Sequence, residues 1–165
     1  MKKFLKLDKQ AITTSFFFKK KNNVLFNQDL KNDIIKNYKK NNSDLRVCLH
    51  QNPLDKHHDM IILQQKKNFY KPHKHKSKAE TYHMISGKMI VIIFKNDGKI
   101  LNSKIIGGKD VFRVPSNTFH TMIPLTKYVI YHENKNGPFI RKGDSIYPNW
   151  INKFPDQSSL LKKLK

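Results

Sequence analysis

Between Leu45 and Phe139 the chain breaks into short extended runs, each closed by a turn signal. The runs are "RVCLH" (46–50), "DMIILQQ" (59–65), "TYHMISG" (81–87), "KMIVIIF" (88–94), "ILNSKII" (100–106), "VFRVP" (111–115) and "YVIYHE" (128–133). Between them stand Asn52-Pro53, Asn96-Asp97-Gly98, Gly107-Gly108, Pro115-Ser116-Asn117 and Asn136-Gly137-Pro138. These residues supply the dihedral angles that tight turns need. Asn96-Asp97-Gly98 between two apolar runs predicts a hairpin. Many short strands at near-regular spacing predict an all-β sandwich or barrel rather than a parallel α/β sheet.

The flanks differ from this middle. In "NQDLKNDIIKNYKKNN", Leu30, Ile34, Ile35 and Tyr38 recur at helical spacing, with Asn27 placed to cap the start and Asn41-Asn42 to end it. Residues 1–44 are therefore expected to form a helical extension and 45–150 the barrel. Residues 151–165 are expected to form a polar tail; Trp150 at the barrel's end and Phe154 tuck against the body, and "LLKKLK" frays.

Composition excludes some classes. The formal net charge is +21, but nearly all the basic residues are Lys, spread over the whole chain; Arg46, Arg113 and Arg141 are the arginines. Such scatter, alongside abundant Asn and Ile, argues compositional drift rather than a nucleic-acid surface, so no nucleic-acid partner is expected. Cys48 is the single cysteine, which excludes an internal disulfide or a Cys-rich zinc site. Lys6, Asp8 and Lys9 interrupt the approach to "ITTSFFF", and no stretch is long and apolar enough for a membrane span. A cytoplasmic protein is expected.

The chemistry concentrates in "YKPHKHKSKAETYHMISG" (70–87). On an extended strand, His73 and His75 point to one face. Glu80 follows after enough chain to bend back, and "VPSNTFH" delivers His120 on a new extended run. Three imidazoles and one carboxylate make a mixed N/O set that suits a first-row divalent ion and leaves coordination positions open.

"PHKHKSKAETYHMISG" resembles the first motif of the cupin superfamily: His-x-His, four residues, Glu, six residues, Gly, met by His73, His75, Glu80 and Gly87. "GKDVFRVPSNTFH" resembles the second motif through Gly108, Pro115 and His120. Asn117 replaces the usual Gly, a mild departure because Asn tolerates the left-handed conformation. The resemblance implies a cupin barrel (a double-stranded β-helix or jelly roll). It also implies the metal ligands His73, His75, Glu80 and His120 for one ion of Fe, Mn, Zn or Ni. Arg46, His50, "YKPHKH", "FKNDGKI", "VPSNTFHTM", "YHENKNGPF" and "PNW" further resemble the WbuC family of cupin-fold metalloproteins over about residues 28–150. That resemblance implies a role in surface polysaccharide (O-antigen-like, lipopolysaccharide) biosynthesis.

The remaining polar residues divide by strand alternation. His83 lies three residues past Glu80 and faces away from it. His57 and His58 in "DKHHD" are expected in solvent, as are Lys74, Lys76 and Lys78. Of His132 and Glu133, Glu133 is expected to face the interior. Arg46, Cys48 and His50 share a face; Arg46 and His50 either bind an anionic group or line the barrel mouth, and Cys48 is expected to be an inert buried thiol. Tyr70 either offers its hydroxyl to a ligand or packs. Arg46, His50, Tyr70 and Glu133 are thus the candidate substrate-binding residues. The expected function is an enzyme acting on a sugar or nucleotide-sugar, the alternative a non-catalytic sugar-binding or sensor module. A homodimer is possible if "DMIILQQ" is an exposed edge.

Overall fold

The computed structural model describes residues 4–9, 11, 13–19, 23–140 and 142–164. Its strands are β1 (Leu5–Leu7), β2 (Thr14–Phe18), β3 (Leu45–Cys48), β4 (His57–Gln65), β5 (Glu80–Ser86), β6 (Lys88–Phe94), β7 (Ile100–Gly107), β8 (Val111–Val114), β9 (Phe119–Pro124) and β10 (Tyr128–Asn136). Helices α1 (Gln28–Asn41) and α2 (Gln157–Lys162) flank them. The large sheet runs β1-β2-β3-β4-β10-β5-β8 and the small one β7-β6-β9. All pairings are antiparallel except β2 with β3.

The two sheets face each other across one apolar core. Met60, Ile62, Tyr82, Met84 and Tyr131 from the large sheet meet Met89, Val91, Ile106 and Met122 from the small one. Each sheet is also covered on its back. Leu5, Ile34 and Tyr38 pack on Leu45, Val47, Ile61, Leu63 and Ile130 behind the large sheet. Trp150, Phe154 and Leu160 cover Ile90, Ile92 and Ile123 behind the small sheet. Burial on both faces explains why β4 and β6 read as unbroken apolar runs.

The local chemistry of these elements follows the residues. The Asn27 side chain accepts from the Leu30 N–H, and Asn42 turns left-handed at φ 48° with its N–H on the Tyr38 carbonyl. Caps of this kind contribute about 1 kcal/mol each. The predicted hairpin joins β6 to β7: Gly98 takes φ +86°, and a Cβ there would lie 2.8 Å from Trp150. The Trp150 indole N–H donates to the Asn96 carbonyl, which ties the C-terminal region to this turn.

Several expectations change. Residues 1–44 are more than a helical extension, because β1 and β2 extend the large sheet ahead of α1. The tail does not fray over its described residues: Asp156 caps α2 and Leu160 is fully buried. "DMIILQQ" is no edge, since β4 pairs with β3 on one side and β10 on the other. Its apolar run reflects central burial, and the argument for a dimer through it falls.

Candidate metal centre

The four expected ligands come from three places in the chain. Glu80 opens β5 and His120 lies in β9. His73 and His75 sit in an irregular segment rather than a regular strand, held by bridges from His73 to His120 and from Lys74 to Ile146. Asn117, at φ 57°, makes the turn into β9, and its N–H binds the His75 carbonyl at 2.7 Å. One ligand atom from each of His73, His75, Glu80 and His120 falls within 4.8 Å of the others.

Each imidazole is oriented by a backbone carbonyl. The Nδ1 atoms of His73 and His120 lie 2.9 Å from the Lys71 and Thr118 carbonyls, and that of His75 bonds the Asp144 carbonyl. Donation from Nδ1 leaves Nε2 as the free ligand atom, the usual arrangement around a metal-binding histidine. Two Nε2 atoms then face one carboxylate: His75 is 2.9 Å from Oε1 and His120 is 3.0 Å from Oε2 of Glu80. His75 Nε2 is buried yet makes no aligned hydrogen bond. An orphaned buried nitrogen beside a carboxylate is the donor arrangement a cation would complete. The residues present therefore fit a divalent ion.

Electrostatics keep Glu80 ionised and His73 neutral, the forms that bind a cation. Burial alone would push the Glu80 carboxyl up, but Lys135, His120 and His75 outweigh it and hold the group well below its ordinary value. Burial and neighbouring His120 push His73 down to about 4. His75 moves the other way: burial lowers it, but the Glu80 carboxylate raises it further, so the ring holds a proton beside Glu80 that a bound cation would displace.

Residues missed at the sequence level complete the centre. The Tyr82 hydroxyl donates to Glu80 Oε2 at 2.6 Å, and Lys135 Nζ lies 3.1 Å from Oε1. Alternation carried both signals, since Tyr82 follows Glu80 by two residues and Lys135 follows Glu133 by two. Lys78 is not in solvent: it pairs with Asp144 and donates to the Pro138 carbonyl. Lys74 lies over the Phe119 ring at 4.6 Å, whereas Lys76 is exposed. Asp144 had no sequence signal, because it lies in a loop without periodicity.

His73 and Glu80 open into a cavity of about 760 Å³, also lined by Arg46, Cys48, His50, Tyr70, Glu133 and Lys135. All four candidate substrate residues thus face one space with the centre. Glu133 is buried, while His132 binds Asp59 at 3.1 Å on the opposite face. His83 is exposed, as alternation predicts. Tyr70 commits its hydroxyl to Asp44 at 2.8 Å. Burial, then Asp44, raises its pKa. Burial pushes the Cys48 thiol up to about 12 despite Arg46, so it stays protonated and inert. His58 corrects the solvent expectation: it is buried, and its ring stacks on His50 at 4.1 Å and 5°. His57 is the exposed member of that pair.

Comparison with solved structures decides the architecture. The capsular polysaccharide assembling protein CapF from Staphylococcus aureus matches at 18% identity and TM-score 0.51, over 58% of this chain and 27% of that one. Oxalate decarboxylase from Bacillus subtilis matches at 16% identity and TM-score 0.52, over 73% of this chain and 31% of that one. The chain has a cupin fold. It spans less than a third of the length of either protein. Residues 28–106 match a family described as a domain of unknown function (DUF6016). No curated protein matches the chain. No helix among the described residues is long and apolar enough to cross a membrane.

Proposed function

We propose that this cupin is a metal-dependent enzyme acting on a sugar or nucleotide-sugar in surface polysaccharide assembly, of the WbuC kind. The observation that carries the reading is the convergence of three carbonyl-oriented imidazoles on Glu80 at the wall of a cavity of about 760 Å³. Cavities of this order take small organic ligands. The likeness to CapF, described as a capsular polysaccharide assembling protein, agrees with that substrate class.

A divalent first-row ion held by His73, His75, Glu80 and His120 supplies Lewis acidity toward a carbonyl or hydroxyl oxygen. The chain's own groups do the rest. Tyr82 and Lys135 hold the two oxygens of Glu80 in place. Met60, Ile62 and Met122 give the cavity an apolar wall. Arg46, His50, Tyr70 and Glu133 offer polar contacts to the substrate.

The second reading is a sugar-binding or sensor module without turnover. It draws on how firmly the cavity's proton carriers are held: the Cys48 thiol and Lys135 ammonium are both pushed up to about 12, and Tyr70 is raised. Metal analysis of the purified protein followed by a nucleotide-sugar screen tests both. The enzyme reading expects about one ion per chain and a nucleotide-sugar that is consumed. Binding without turnover supports the module, and failure to bind Mn²⁺, Fe²⁺, Ni²⁺ or Zn²⁺ removes both metal readings.

A further inference from the structure

Arg46 poses a problem that the metal centre does not solve. It lies in β3 on the inner face of the large sheet and lines the cavity. Its Nε is buried without a hydrogen-bond partner, and among the described residues no ion pair involves its guanidinium. The carboxylate that acts on it most strongly belongs to Glu133. Glu133 is already engaged, with Oε1 3.4 Å from Lys135 Nζ. The Tyr70 hydroxyl is spent on Asp44. A guanidinium has five N–H donors in a fork shaped for an oxyanion. The guanidinium is half-buried and lines the cavity, so its unpaired N–H donors are open to an anionic ligand.

Register fixes where this group stands relative to the metal ligands. Arg46 pairs with Ile62, Ile62 with Tyr131, and Tyr131 with Met84. Glu80, by contrast, pairs with Lys135, two pleats along the same face. The offset is about 13 Å along the strands before either side chain extends into the space. One cavity thus has a cation-binding wall at one end and an unpaired cation toward the other.

We infer that the ligand of this cavity is a small polyhydroxylated molecule carrying one oxyanion, a carboxylate or a phosphate, with that group on Arg46 and its hydroxyls toward the His73–His75–Glu80–His120 centre. The inference rests on the proposed function and narrows it from sugars in general to acidic ones. A neutral sugar leaves the guanidinium unpaired and gains only the hydroxyl contacts.

The test uses the metal-loaded full chain, with glucuronate, glucose 1-phosphate and glucose as probes in calorimetric titration. At least one anionic probe is expected to bind about tenfold or more tightly than glucose, the gain of a charge-assisted hydrogen bond. The two anions report which oxyanion is preferred. Arg46→Gln is expected to erase that preference and leave bound metal unchanged. Metal content and melting temperature of the ligand-free variant check that Arg46→Gln still folds and loads metal, so that a lost preference reports on the guanidinium itself. Equal binding of all three probes, binding of none, or an anion preference that survives Arg46→Gln overturns the inference. Metal content measured on the same samples separates the failures. Loss of metal from the wild type sinks the functional reading, whereas metal retained without anion preference sinks this inference alone.

Discussion

The two ends of the cavity are built on opposite rules. At the His73–His75–Glu80–His120 end every ligand has a second contact that fixes it: a carbonyl for each imidazole, Tyr82 and Lys135 for the carboxylate. At the Arg46 end the charged group has no such contact among the described residues. Bracing aims ligand atoms at one point and costs no reorganisation when a cation arrives. An unbraced guanidinium keeps all its donors for a partner from outside. Changes at the first end should therefore damage binding and fold together, and changes at the second should affect ligand choice alone.

The largest effect is expected from His75→Ala. It removes a ligand atom and its link through Asp144, so metal affinity should fall more than ~100-fold, read by metal content after dialysis. Retention of a full equivalent would show that the braced end is not a metal site. Glu80→Gln comes next. It takes the nearest carboxylate from Lys135, whose side chain is 11% exposed, and leaves Glu133 as its closest counter-charge. Breaking a buried pair typically costs several kcal/mol, and the surviving partner reduces this to about 2–3 kcal/mol in chemical denaturation of the metal-free protein. Tyr82→Phe should be smaller and more selective. It deletes the 2.6 Å hydrogen bond to Glu80 Oε2 while keeping the ring edge-on to Tyr131. Metal affinity should drop about tenfold, with at most ~1 kcal/mol lost in stability. An unchanged affinity would mean the hydroxyl only fills space.

Much of the braced end was legible in the sequence, because histidine spacing and strand alternation are local. His73, His75, Glu80 and His120 came from the motifs. Period-two alternation put Glu133 inward and His83 outward, and would have delivered Tyr82 and Lys135 had it been carried two residues further. What was not legible depends on contacts distant in sequence. Asp144 reaches His75 across 69 residues from an irregular loop. β2 pairs in parallel with β3 across the whole of α1, with no turn signal to announce it. "DMIILQQ" read as an edge because a short apolar run does not say how many of its sides are covered. His58 read as solvated because its neighbours are polar, although strand alternation takes it to the inner face beside Lys135.

The last predicted effect is a pH dependence located at the cavity rim. Burial, then the stacked His50 ring and the Lys135 ammonium, push His58 down to about 4. The folded value lies below the unfolded one of about 6.5, so the unfolded chain takes up its proton first as pH falls. Stability from this residue is therefore complete above about pH 6.5, declines as pH drops toward 4, and changes no further below that. The 3.1 Å contact from Nε2 to the Pro53 carbonyl is one a protonated ring can still donate to and already moderates the shift, so the loss is on the order of 2–3 kcal/mol. The His58 C2 proton resonance in NMR should titrate near 4, and His58→Asn should flatten part of the acid slope of melting temperature. The other part belongs to His50, lowered chiefly by burial, and to His73. A midpoint for His58 at or above the unfolded value would mean that the stacked pair opens to water. The rim would then be as unbraced as the Arg46 end, and the division between a rigid cation wall and an open anion end would have to be drawn closer to Glu80.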